Sequence, residues 1–258
     1  MFCSRSKHIM KKAFYIVLFL LSTISIAQNE TIFEQGNALY NDGNYTQAIE
    51  KYQAILDNGK HSAELYFNLG NAYYKLNRIA PSIFYYEKAL QLAPDDKEIL
   101  NNIAFARNMT IDVIDTIPEV GFSKFVNNLA NMMSFDAWSK MAIGFVIFFV
   151  IVFLSYYFSR TSIKKRIAFV VSSGSIILAC VSLAFAYHNF NLRKNDKPAI
   201  VFAKESQIKS EPNLRSSEAF KLHEGTKVQI LDTVNNWKKI KLADGKTGWI
   251  VNDDIKAL

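Results

Sequence analysis

Apolar and polar positions follow three different rhythms along this 258-residue chain. Residues 28–108 carry a helical pattern that repeats itself. Trp138–Phe158 and Ile167–Tyr187 are almost continuously apolar. From Pro198 onward the apolar residues fall into short runs separated by turn residues. The runs Ala199–Ala203, Gln207–Ser210, Lys227–Asp232, Trp237–Leu242 and Thr247–Val251 predict strands. Asp244-Gly245 between the last two is a hairpin signal.

The two continuous runs predict membrane spans. Each is roughly 31 Å long at about 1.5 Å rise per residue, enough to cross a hydrocarbon core. Neither contains an acid, and Lys140, the only base, sits at an edge where it can snorkel. Ser159–Arg166 between them holds Arg160, Lys164, Lys165 and Arg166 and no acid, the pattern of a cytoplasmic loop. The segments flanking the pair are then expected on the opposite, periplasmic side of a bacterial inner membrane.

The N-terminus points the same way. Arg5, Lys7, Lys11 and Lys12 precede an apolar core at Ala13–Ile26, and Ser25-Ile26-Ala27 is a small-x-small cleavage pattern. This predicts a secretory leader over residues 1–27 and a mature start at Gln28; an uncleaved anchor is the alternative. The formal charge of +7 is then concentrated in the leader and the loop. The remaining heads are near balance, and nothing points to nucleic acid.

Laying Glu30 on Glu64 brings the chain into register with itself at a period of about 34. Phe33, Gly36, Asn37, Ala38, Tyr40, Ile49, Tyr52 and Leu56 then fall on Phe67, Gly70, Asn71, Ala72, Tyr74, Ile83, Tyr86 and Leu90. Leu69-Gly70, Tyr73, Tyr86, Ala89 and Pro94 resemble the tetratricopeptide (TPR) signature, with Ser82 departing from its usual Ala. Lys97–Asn108 reads as a solvating cap helix. The resemblance implies a concave groove lined by first helices. By register Phe33, Asn37, Tyr40, Asn41, Phe67, Asn71, Tyr74 and Lys75 face it. Asn37 and Asn71 could grip the backbone of a protein partner, while the aromatics could equally pack the stack. No Lys precedes either Asn as in carboxylate-clamp TPRs, which argues against a chaperone-tail ligand.

Residues 109–137 form a connector in which Phe122, Phe125, Val126, Leu129, Met132 and Met133 share one helical face. Contact with membrane lipid at the bilayer surface or with the repeat cap would each explain it. Ser134 can cap the first span, and Trp138 can anchor it. Ser175, Ala179, Ser182 and Ala186 form a small-residue stripe in the second span, fit for the first span or for a partner's helix. No buried carboxylate supports transport.

After a short linker at 188–197, residues 198–258 resemble a bacterial SH3-like barrel. The resemblance rests on Ile208-Lys-Ser-Glu-Pro, Leu222-His-Glu-Gly-Thr-Lys-Val, Trp237-Lys-Lys-Ile-Lys-Leu and Asp244-Gly-Lys-Thr-Gly-Trp249-Ile. Trp249, Ile230, Ile240 and Leu242 are its expected core, and Trp237 its expected exposed aromatic. Such domains bind cell-wall peptides or proteins, so peptidoglycan is one implied ligand.

The four His are scattered, and Cys3 and Cys180 have no partner, so no metal, cofactor or catalytic site is expected. The fold class is a multi-domain membrane protein: all-α TPR repeats, two transmembrane helices, then a small all-β SH3-like barrel. That order, with Asp95–Arg107 followed by Thr110-Ile-Asp-Val-Ile, resembles the BatE family of the Bacteroides aerotolerance operon. The resemblance implies a non-enzymatic envelope scaffold. Its implied partners are membrane proteins with von Willebrand factor A domains and a MoxR-type ATPase.

Overall fold

The computed structural model describes residues 29–115 and 121–258. The expected leader at 1–27, and Gln28, lie outside the described residues. The chain forms two compact units. Of the described residues, one unit joins 29–114 with Pro198–Leu258, and the other lies within Asp115–Lys197.

The first unit begins with helix α1 (residues 29–41), α2 (Tyr45–Asp57), α3 (Ala63–Lys75), α4 (Ile79–Leu92) and α5 (Lys97–Arg107). Local chemistry sets their ends. Ser62 accepts from the Leu65 N–H at the start of α3, and Asp96 accepts from the Glu98 and Ile99 N–H groups at the start of α5. Pro81 stands in the first turn of α4, where its missing N–H costs nothing. Gly36 lies so close to Tyr52 that a Cβ there would meet the ring at 2.5 Å, and Gly70 would meet Tyr86 at 2.6 Å. The repeat period is therefore a packing device, a glycine on one helix receiving a tyrosine from the next. Ser82, the departure from the repeat pattern, is fully buried and donates to the Gly70 carbonyl at 2.9 Å. Leu65, Leu69, Ile83, Ile99 and Ile103 complete the core, each contributing about 1.5–3 kcal/mol by leaving water.

Seven strands close this unit: β1 (Pro198–Val201), β2 (Glu205–Lys209), β3 (Glu218–His223), β4 (Lys227–Val234), β5 (Trp237–Lys241), β6 (Thr247–Val251) and β7 (Ile255–Ala257). They form an antiparallel sheet in the order β3-β2-β6-β5-β4-β1-β7, bent by irregularities at Ile208/Lys209 and Ile230/Asp232. The expected strand set lacked β3 and the short β7. Ile230, Ile240 and Leu242 are buried as expected, but Trp249 is not in the core. Ile240 pairs with Gly248, so Gly248 and Ile250 point inward and Trp249 points out, opposite Lys239 and Lys209. Trp237 is half-buried on that same outer face rather than freely exposed.

The helical repeats and the sheet are one body. Ile200 of β1 is a member of the helical core, and Phe202 stacks edge-on against Phe84 of α4 at 5.6 Å. Lys256 lies over the Phe84 ring at 4.7 Å. Strand β1 covers an apolar face of α4 that the repeats leave open.

In the second unit α6 (Phe122–Ala130) precedes an antiparallel pair, α7 (Phe135–Phe158) and α8 (Ser162–Asn195). Both long helices have the length and apolar composition to cross a membrane. Ser134 caps α7 by accepting from the Ala137 N–H. Helix α8 includes Lys164, Lys165 and Arg166, so the turn is only 159–161. It also runs to Asn195, through the residues read as a linker, because nothing between Tyr187 and Asn195 breaks a helix. The stripe Ser175, Ala179, Ser182 and Ala186 is buried, and Ser175 donates to the Phe145 carbonyl of α7 at 2.8 Å. The first span is thus its partner.

Candidate functional site

The first helix of each repeat, α1 and α3, and the equivalent α5 supply most of a shallow cleft of about 230 Å³ lined by Tyr40, Asn71, Tyr74, Lys75, Asn102 and Phe105, with Tyr86 of α4 beside them. Four of the eight residues expected to face the groove therefore meet in one cleft. Asn41 is exposed at the end of α1. Phe33 and Phe67 pack inward instead, tilted against Tyr52 and Tyr86 at 5.8 and 6.0 Å. Phe33 also lines a separate surface hollow with Glu30, Ile55, His61 and Leu65.

The carbonyl ends of both asparagine amides are engaged within the fold. The Oδ1 of Asn37 accepts from the Tyr52 hydroxyl at 2.8 Å and from Asn68 Nδ2 at 3.0 Å. One repeat later, the Oδ1 of Asn71 accepts from the Tyr86 hydroxyl at 2.6 Å and from Asn102 Nδ2 at 2.9 Å. Each amide is thereby fixed in orientation. Its carbonyl end serves the fold and its Nδ2 donor is turned away from those contacts. Burial first, and Tyr40 second, push the Tyr52 hydroxyl up to about 12 and Tyr86 in the same direction, so both stay protonated donors at neutral pH.

Asn68, Asn102 and Phe105 were missed as members of this network. The signal was present: Asn68 recurs one period later at Asn102, just as the cap Ser62 is replaced by the equivalent cap Asp96. The segment expected as a cap is a third first-helix of the repeat.

A second cleft, about 450 Å³, lies at the seam of helices and sheet beside Ile83, Arg107, Asp112, Gly225 and Lys227. Glu87, buried on α4, accepts from Arg107 at 2.6 Å and from Lys227 at 2.7 Å, so both cations of this cleft are already engaged. Asp112 accepts from the His223 N–H, the His223 ring and Thr226 Oγ1 at 2.7, 2.8 and 2.6 Å. Burial raises the Asp112 carboxyl, but the Thr226 and His223 hydrogen bonds outweigh it and hold it below its usual value. These contacts join the two parts of the unit, and the charged residues lining the seam are spent on one another. The concave cleft is left as the candidate site.

Residues 33–97 match the tetratricopeptide repeat family model, and residues 206–256 match that of the bacterial SH3 domain. The Protein O-mannosyl-transferase TMTC1 of Homo sapiens is 30% identical over 76 residues. That match covers 30% of this chain and spans 9% of the human protein's length. TPR and SH3 domains imply protein partners in general.

Proposed function

We propose that this chain is a non-enzymatic scaffold of the bacterial inner membrane that captures an extended segment of a protein partner on its TPR cleft. The observation that carries this reading is the locked amide of Asn71, which lines the cleft with the exposed Lys75. An amide held in one orientation suits a carbonyl of an extended chain, since it needs no reordering to bind. Among the described residues lining the cleft there is no nucleophile–base pair.

The fold of the first unit supports a common side for both heads. A single body assembled from segments on either side of a helical pair needs both segments in one compartment. The basic turn region, Arg160 to Arg166, favours the cytoplasm for the tip and the periplasm for the TPR–SH3 body. By resemblance to the BatE family, the partners are A-domain membrane proteins working with a MoxR-type ATPase.

Co-purification of the detergent-solubilised full chain tests the reading. Lys75→Glu should lose stoichiometric membrane-protein partners without changing the melting temperature. Undiminished capture would remove the cleft as the site. Sedimentation of the variant and the parent alike with purified sacculi would favour wall binding through the SH3 domain. Reaction of an Arg160→Cys variant with a membrane-impermeant reagent in intact spheroplasts would reverse the orientation.

A further inference from the structure

Helix α6 is amphipathic over its whole length, yet its packing uses only one flank. Ala130 is buried, and Asn127 Oδ1 meets His188 of α8 at 2.8 Å. The adjoining apolar flank is bare: Phe122, Phe125 and Met132 are 80%, 59% and 73% exposed. Lys124 and Asn131 lie on the polar side, and both are exposed. Such a helix, one flank on a hairpin and one apolar flank open, is incomplete in water.

The end of α6 shows what surroundings it is built for. The last carbonyls of a helix lack partners within it, and at an aqueous surface water satisfies them. Here side chains do so. Trp138 Nε1 donates to the Ala130 carbonyl at 2.8 Å, and Asn189 Nδ2 donates to the same oxygen at 2.8 Å and to the Met133 carbonyl at 3.1 Å. Asn189 does this from the apolar hairpin with its own Oδ1 buried and unpartnered among the described residues. Two converging donors on one carbonyl are the arrangement of backbone held where water is scarce.

We propose that α6 is an in-plane membrane helix whose Phe122–Phe125–Met132 flank is seated in lipid at the interface that receives the Trp138 end of the hairpin. Helix α7 is bare in the same way, with Ile143 and Ile147 61% and 56% exposed. Lys124 and Asn131 then face headgroups and water. The helix would fix the depth of the hairpin, since Trp138 and Asn189 tie it to both long helices. The proposal rests on the reading of α7 and α8 as membrane spans, and the test separates the two.

Single nitroxide labels are placed on the variants Phe125→Cys, Met132→Cys, Lys124→Cys and Ile147→Cys of the full chain, each also carrying Cys3→Ser and Cys180→Ser. They are measured in phosphatidylcholine–phosphatidylglycerol vesicles. Accessibility to oxygen and to a water-soluble nickel complex is compared at each site. The expected result is oxygen-accessible, nickel-shielded labels at Ile147, Phe125 and Met132, and a nickel-accessible label at Lys124. Asn189→Ala should restore nickel access at Phe125 while leaving Ile147 shielded. A shielded Ile147 with Phe125 and Met132 as nickel-accessible as Lys124 overturns the in-plane helix and keeps the spans. Labels at Phe125 and Met132 closed to both reagents overturn it in favour of a second copy of the chain. Nickel access at Ile147 overturns both readings.

Discussion

Asp112 and His223 hold each other across 111 residues of sequence, the carboxylate accepting from both the backbone N–H and the ring Nδ1 of the histidine. The whole helical hairpin lies between them in the chain. Asp112 follows the last TPR helix and His223 ends β3, so this one carboxylate ties the helical and β parts of the first unit together.

Removing the carboxylate should loosen the seam. Asp112→Ala is expected to cost about 1–3 kcal/mol, since it strands the N–H of His223 and the hydroxyl of Thr226. Thermal unfolding of the detergent-solubilised full chain measures it. A double-mutant cycle with Thr226→Val should be non-additive; additive losses would show that the two groups do not share a hydrogen bond.

The same carboxylate sets an acid dependence. Its folded value lies below the ordinary 3.8, so its contribution is present above the unfolded value and disappears as pH falls through the folded one. The gap in melting temperature between the parent and Asp112→Asn should stay constant from about pH 7 to about 5 and shrink below about 4. A gap that closes at a higher pH would locate the titrating group elsewhere.

Gly225 gives a steric test of the seam. Its φ is +88°, and a Cβ there would meet Thr110 at 2.8 Å and Ile79 and Ile83 at 3.0 Å. Gly225→Ala should destabilise by about 1–3 kcal/mol through overpacking and the left-handed backbone together. Limited proteolysis should then cut near Ile114 sooner than in the parent. An unchanged digestion pattern would count against tight docking.

The groove should separate fold from binding. Tyr86→Phe removes the donor to Asn71 and is expected to lower stability by about 0.5–1.5 kcal/mol. Lys75→Glu alters an exposed side chain and should stay within about 0.5 kcal/mol of the parent while weakening partner capture. Equal destabilisation by both would mean that the cleft is packing throughout.

Sequence patterns revealed most of this fold because its devices repeat. The period marks Gly36 and Gly70 against Tyr52 and Tyr86, and the same period carried on to Asn102 would have identified the third first-helix. Tryptophan misled: Trp249 has the size of a core residue, yet strand alternation and the pairing of Ile240 with Gly248 turn it outward. The fate of the asparagine carbonyls was not legible, since period and composition do not say which end of an amide is spent. Nor was the docking of Phe202 on Phe84, a contact between distant segments whose residues look like ordinary core members of their own domains.

The merging of Ile200 into the helical core has a consequence for the order of synthesis. The TPR segment leaves the ribosome first, with the α4 side of Ile83 and Phe84 uncovered. It stays so until both long helices and the last strands have followed. The segment Pro198–Leu258 therefore acts as a cover: a chain stopped before it would present a sticky apolar face. Quality-control proteases could tell such a fragment from the finished protein by that face alone.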